Sequence, residues 1–291
     1  MKELQGIYPA LLTPFKMDGT INKPVLRELV ELNIAKGVTG FYVCGSTAEA
    51  FMLSAKERKE ILETVAEQAN GRVKLLAHIG TIDTLTAIDL AKHAKSVGVD
   101  AISSVTPFYY GFSFAEIKQY YFDIVEAAQA PMIVYNIPAL SKVNLTEENI
   151  GSFFEDERFI ALKHTSNDFF LLERLSRRYP DKVFFNGYDE MFLSGLAAGA
   201  DGAIGSTFNV MAEKFLQISK LFLEGHLEKA RAVQTSANNI ISALCKVGVM
   251  AGEKAILCMM GLDFGKARRP FRELTEDEMT FLENVWKENC K

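Results

Sequence analysis

The chain is poor in the residues that build metal and disulfide sites. Its four cysteines, Cys44, Cys245, Cys258 and Cys290, are scattered over 291 residues without a short paired spacing. That argues against both a disulfide framework and a zinc knuckle. Histidine is as scarce: of His78, His93, His164 and His226, no two stand four apart on one helix, so no His-rich metal site is expected. No apolar run approaches the roughly eighteen residues that cross a bilayer, and the opening Met1-Lys2-Glu3-Leu4-Gln5 lacks the apolar stretch of a signal peptide. A soluble cytoplasmic protein is expected. There is no excess of positive charge either: the net charge of −5 leaves no electrostatic footprint for nucleic acid or an anionic membrane. The short basic stretch 266–272 reads as a solvated loop.

What is present is apolar material in quantity, 48% of residues, enough for a large core. A chain of this length suits either two ordinary domains or one α/β barrel. Patterning decides between them. Short segments rich in β-branched residues recur at 6–12, 40–43, 73–78, 101–105, 132–136, 159–163, 183–186 and 202–205. Segments with helical periodicity lie between and after them, at 24–36, 54–70, 84–96, 113–128, 146–154, 168–178, 189–198 and 211–224. In the second of these, Ser54 with Glu57 forms a capping box. Strict alternation predicts a parallel sheet, and eight units without an edge-like strand predict a (β/α)8 TIM barrel, an α/β fold, over 1–225. Further helices at 227–246, 252–260 and 275–287, the last opened by Thr275 with Glu278, predict a C-terminal helical extension over 226–291 within the same structural domain.

In such a barrel the active site lies at the carboxyl ends of the strands, so residues where an apolar strand gives way to polar loop carry the argument. After strand two, Gly45-Ser46-Thr47 offers two hydroxyls and adjacent N–H groups that can hold a carboxylate or phosphate; alone it reads as readily as a turn capping the next helix. Lys163 ends strand six where an inward residue should be apolar. Desolvation lowers an amine's pKa, and bringing it from about 10.4 to near 7 costs roughly 4–5 kcal/mol, an amount burial can supply. A neutral amine is the nucleophile of a Schiff base; a lysine snorkelling to solvent or ion-paired is the equal alternative. His164 alternates to the opposite face and is expected to pack against helices. Tyr135, ending strand five, can shuttle a proton beside that lysine or simply pack. Tyr109 and Tyr110, in an aromatic loop after strand four, suggest an interface. Asp189 and Glu190 after strand seven, and Ser206 with Thr207 after strand eight, suit a polyol, although the two acids can equally favour a helix amino terminus.

Taken together, these segments resemble the pyruvate-dependent class I aldolase superfamily of dihydrodipicolinate synthases and N-acetylneuraminate lyases. The likeness runs from about residue 6 to 271. It is carried by Ala10-Leu11-Leu12-Thr13-Pro14-Phe15, Val105-Thr106-Pro107-Phe108-Tyr109-Tyr110, Tyr135-Asn136-Ile137-Pro138-Ala139-Leu140, Gly187-Tyr188-Asp189-Glu190 and Asp201-Gly202-Ala203-Ile204-Gly205-Ser206-Thr207. The resemblance implies a Schiff base between Lys163 and pyruvate or open-chain sialic acid, with Tyr135 taking the proton from the sugar's C4 hydroxyl. It implies that Ser46 and Thr47 hold the pyruvate carboxylate, Thr47 and a neighbouring subunit's Tyr109 completing a proton relay. Thr165, Gly187, Asp189, Glu190 and Ser206 would bind the sugar chain. No metal or other cofactor is implied, because the protonated imine is itself the electron sink. A homotetramer with small-molecule ligands only, namely sialic acid, pyruvate and N-acetylmannosamine, is implied as well.

Leu140 separates the branches. Dihydrodipicolinate synthases usually place an arginine there to bind a substrate carboxylate, and an uncharged side chain favours a neutral polyol instead. The chain resembles the sialic acid lyase branch on that ground. Two positions depart from the pattern: Ala48 where glycine commonly follows the Ser/Thr pair, and Lys142 where glycine often follows Ser141.

Overall fold

The computed structural model describes residues 2–290. Eight strands, β1 (Gly6–Pro9), β2 (Gly40–Val43), β3 (Lys74–His78), β4 (Ala101–Val105), β5 (Met132–Asn136), β6 (Phe159–His164), β7 (Val183–Asn186) and β8 (Gly202–Gly205), pair in parallel with their sequence neighbours. β1 pairs with β8 in the register Gly6 to Gly202, and Leu11 N–H donates to the Tyr42 carbonyl at 3.0 Å across β1 and β2. With the isolated parallel bridge between Ala10 and Tyr42, this brings the barrel nearly to closure.

Helices α1 (Lys23–Lys36), α2 (Ala55–Ala69), α3 (Thr84–Val97) and α4 (Phe114–Ala128) return the chain between the first five strands. A short α5 (Pro138–Ser141) follows β5 before α6 (Glu147–Phe154); α7 (Phe169–Arg178), α8 (Phe192–Ala197) and α9 (Phe208–Leu223) complete the ring. The expected capping box at α2 forms: Glu57 N–H donates to Ser54 Oγ at 3.2 Å and Ser54 N–H to Glu57 Oε2 at 2.8 Å. Ser113 with Glu116 and Thr146 with Asn149 repeat the device at α4 and α6.

The strands bury two faces. Outward residues such as Phe41, Leu162 and Phe184 join the core beneath the helices, while Tyr8, Tyr42, Ile133, Tyr135, Phe185 and Ile204 fill the barrel interior. The alternation places Ala161 and Lys163 inward and Leu162 and His164 outward. His164 packs as expected, its Nδ1 3.2 Å from Asn136 Nδ2 and its Nε2 3.0 Å from the Asp168 carbonyl at the start of α7.

Several boundaries differ from expectation, among them the start of the helix expected from 252, which begins at Val249. The first strand stops at Pro9 rather than at residue 12, since Ala10 already bends to bridge Tyr42. The helix after β7 starts as a 3-10 turn, Asp189–Met191, and α9 opens three residues early across a non-helical Met211 (φ −135°, ψ 41°). The chain ends in α10 (Leu227–Val247), α11 (Val249–Met259) and α12 (Glu276–Asn289), with α10 packed on α9 and α12.

Candidate active site

β6 delivers Lys163 to the barrel interior, in register with Tyr135 of β5 and Phe185 of β7. The lysine is 4% exposed, and its Nζ lies 4.3 Å from the centre of the Tyr42 ring and 4.2 Å from that of Tyr135. Among the described residues no carboxylate lies within ion-pair distance of it. Burial pushes its pKa down to about 7, against the weaker opposing field of Asp189. A large fraction of the amine is neutral at neutral pH, so the ion-paired and snorkelled alternatives are set aside.

Tyr135 is buried, and that burial raises its phenol above the ordinary tyrosine value, while the nearby hydroxyls of Ser46 and Thr165 pull it back. The Thr165 amide donates to the Asn136 carbonyl at 2.8 Å, and its buried Oγ1 has no partner among the described residues. Gly187 makes room for that hydroxyl: a Cβ there would sit 1.9 Å from Thr165 Oγ1. Glycine is required by this close approach rather than by backbone conformation.

Ser46 and Thr47 stand in the 3-10 turn Ser46–Ala48 that follows β2. The turn is tight, with Cys44 (φ 59°) and Glu49 (φ 61°) left-handed on either side. Thr13 Oγ1 donates to the Ala48 carbonyl at 2.9 Å and pins the loop to the chain after β1. Both hydroxyls are half-buried, and that of Ser46 reaches toward the Tyr135 phenol.

Asp189 opens the 3-10 turn after β7 and is buried. Its Oδ2 accepts from Thr207 N–H at 2.8 Å and from Thr207 Oγ1 at 2.7 Å. Burial raises its carboxyl to about 6, a shift that the Thr207 bonds limit. Gly205 leaves space for the other oxygen, since a Cβ there would lie 2.3 Å from Asp189 Oδ1. Ser206 Oγ is 2.6 Å from Glu253 Oε1.

The remaining sequence candidates are exposed. Glu190 is exposed, with only its carbonyl held, by Asn238 Nδ2 at 3.0 Å. Leu140, on α5, is 67% exposed, and Lys142, at the end of α5, is exposed and turns its Nζ to the Ala139 carbonyl at 2.9 Å. Leu140 lines a largely apolar cavity of about 260 Å³ with Phe51, Phe108, Ile137, Phe271 and Ser46. Ser46 is the point where this cavity meets the polar cluster around Tyr135. Tyr109 is 83% exposed with a left-handed backbone (φ 78°), its ring edge-on to Tyr110 at 5.1 Å, and it does not line the cavity of its own chain.

Several residues that hold the site escaped the sequence reading. His78 lies edge-on to Tyr135 at 6.0 Å between ring centres, its Nδ1 donating to the Cys44 carbonyl at 2.9 Å. Burial, with the charge of Arg58, keeps this imidazole well below its ordinary pKa. Glu49 and Lys254 form a buried ion pair at 2.6 Å, and Arg268 N–H donates to Glu49 Oε2 at 2.7 Å. Arg268 also pairs with Glu57 and donates to the Met52 carbonyl at 2.8 Å. The stretch 266–272 is therefore not simply a solvated loop. The Lys254 ammonium pairs the buried Glu49 carboxylate, which must be paired, and the Arg268 backbone N–H adds a second bond to it, so the two together clamp the segment after Thr47. The signal was a lone acid, Glu49, in an otherwise apolar run, Ala48 to Leu53.

Among the described residues no group of three or more His, Cys, Asp or Glu is placed to hold a metal ion, and no helix is long and apolar enough to cross a membrane. All four cysteines are free thiols.

A parallel (β/α)8 barrel with a desolvated lysine among hydroxyls and a buried acid at its carboxyl end belongs to a known class. The chain is a member of the dihydrodipicolinate synthetase family, whose pattern matches residues 3–289. Within that family it is 47% identical over 283 residues to the N-acetylneuraminate lyase of Salmonella paratyphi B, covering 97% of this chain and 95% of that one. The fold superimposes on the N-acetylneuraminate lyase of Fusobacterium nucleatum with a TM-score of 0.95 at 39% identity, over 99% of this chain and 100% of the other. It also superimposes on a catalytic lysine mutant of the Ruminococcus gnavus sialic acid aldolase, with a TM-score of 0.97 at 31% identity over 100% and 97% of the two chains.

Proposed function

We propose that this protein is a Schiff-base aldolase that cleaves N-acetylneuraminate to N-acetylmannosamine and pyruvate. The observation that carries the reading is Lys163: a buried amine brought to about 7, without a carboxylate partner, packed against the phenol of Tyr135. The Lys163 amine attacks the keto carbon of the open-chain sugar acid and loses water to give a protonated imine. Tyr135 takes the proton of the C4 hydroxyl as the C3–C4 bond breaks; its electron pair moves into the imine, leaving an enamine and the aldehyde of N-acetylmannosamine. Protonation of the enamine at C3 and addition of water release pyruvate and restore the amine. The imine is the electron sink, so neither metal nor other cofactor enters a step.

Because burial raises the Tyr135 phenol, a free phenolate is too scarce to serve as the base, and the proton must pass on in concert. Thr47 and Tyr109 of a neighbouring copy complete that relay in the proposal, and the outward Tyr109 is consistent with it. Ser46 and Thr47 hold the pyruvate carboxylate. Thr165, Gly187, Asp189, Glu190 and Ser206 take the hydroxyls of the sugar chain, and the neutral Leu140 leaves no cation for a second substrate carboxylate. The assembly is proposed to be a homotetramer working in the cytoplasm. Residues 1–225 and 226–291 are proposed to fold as one unit, supported by the Glu49–Lys254 pair and the Ser206–Glu253 bond between them.

Assaying pyruvate release from N-acetylneuraminate beside condensation of pyruvate with aspartate semialdehyde tests the reading. Release without condensation is expected. Condensation without release would assign the chain to the synthase branch instead.

A further inference from the structure

α11 carries a carboxylic acid into the wall of the site at a point that the proposed chemistry does not use. Glu253 is 0% exposed; its Oε1 lies 2.6 Å from Ser206 Oγ, and its Oε2 has no hydrogen-bond partner among the described residues. The groups facing it are Asp189 from the turn after β7, Cys245 from α10 and the neutral Ser206 from the end of β8. The only charge among them has the same sign as a carboxylate. An anionic Glu253 would therefore leave a buried charged oxygen without a donor, beside a second acid. A neutral Glu253 leaves only an unfilled carbonyl oxygen, a far smaller penalty.

We infer that Glu253 is a positioning residue that sets the hydrogen-bonding sense of Ser206, and through it the grip on the substrate's hydroxyl chain. As a neutral acid, Glu253 donates its Oε1 proton to Ser206 Oγ, which frees the serine proton for an oxygen of the substrate. As an anion it can only accept; the serine proton then turns back to Glu253, and Ser206 offers the substrate lone pairs alone. Burial, opposed by the Ser206 bond and reinforced by Asp189, brings the carboxyl up to about 8, so the neutral form dominates at neutral pH and the sense reverses in mild alkali.

The inference rests on Ser206 contacting the substrate chain, as proposed above. Its test is the pH dependence of kcat and KM for N-acetylneuraminate between pH 6.5 and 9.5 in the wild type, Glu253→Gln and Glu253→Leu. The amide of glutamine donates to Ser206 at every pH. The expected result is a wild-type KM that rises about fivefold to tenfold across the alkaline limb, the worth of one hydrogen bond, with a smaller change in kcat. Glu253→Gln should keep the neutral-pH KM within about twofold and lose the alkaline rise, and Glu253→Leu should have a raised KM at every pH. Borohydride trapping of pyruvate on Lys163 should be equal in all three proteins, because the keto acid alone does not reach Ser206. An unchanged alkaline rise in Glu253→Gln, or a wild-type KM in Glu253→Leu, overturns the inference. A wild type that releases no pyruvate overturns the underlying functional reading instead.

Discussion

Lys163 and Tyr135 are register partners on adjacent parallel strands, and the lysine Nζ sits 4.2 Å from the centre of the tyrosine ring. A β5–β6 pairing shifted by one residue would send one of the two to the helix side. The strand register is therefore what assembles nucleophile and proton carrier, and the cost of holding an amine there is measurable.

Lys163 has a folded pKa of about 7 against an ordinary 10.5, so the unfolded chain binds more protons between those values. Stability then rises with pH across that window, and the penalty of the buried amine is greatest at and below pH 7. Lys163→Met should abolish turnover and raise unfolding stability by about 2–4 kcal/mol at pH 7, a gain that closes toward pH 10.5. Denaturant unfolding at both pH values checks it; equal stability of the two proteins at pH 7 would mean the amine is not desolvated.

Tyr135→Phe preserves the packing around Lys163 and removes only the phenol. The kcat for cleavage should fall by about 10²–10⁴, while pyruvate still forms a trappable adduct on Lys163. Loss of both together would place Tyr135 in imine formation rather than in bond cleavage.

Leu140→Arg places a cation at the mouth of the cavity. Leu140 is exposed, so the unfolding midpoint should not move. The kcat/KM for N-acetylneuraminate should drop roughly tenfold or more, as expected when a pocket shaped for a neutral chain gains an unmatched charge. Full retention of activity would remove Leu140 from the specificity argument.

Lys254→Met strands the buried carboxylate of Glu49. A loss of roughly 3–5 kcal/mol in stability is expected, partly recovered in the double variant Glu49→Gln, Lys254→Met, where no charge remains unpaired. A double variant no more stable than the single one would show that the pair contributes by shape rather than by charge.

The barrel itself was legible because each strand is a short β-branched run and each helix a periodic one, and Lys163 stood out as a polar residue on an inward strand position. Asp189 was ambiguous, since an acid before a helix also fits a favourable amino terminus; the structure shows it buried and bonded to Thr207 instead. What the sequence could not convey is which distant residues hold the strand ends. Glu253 and Lys254 lie in a helix that reads as ordinary amphipathic packing, yet they reach Ser206 and Glu49 across more than forty and two hundred positions respectively. Contacts of that separation leave no local pattern. Tyr109 marks a different limit: its ring is exposed, and the relay proposed for it needs a neighbouring copy that a single chain does not contain.

Everything proposed for the site depends on the Lys163 amine forming the imine. Incubating the protein with pyruvate and borohydride, then mapping the modified peptide by mass, tests it directly. A reduced pyruvate adduct is expected on the peptide containing Lys163, and none in Lys163→Met. An unmodified Lys163 in a protein that still cleaves N-acetylneuraminate would contradict it.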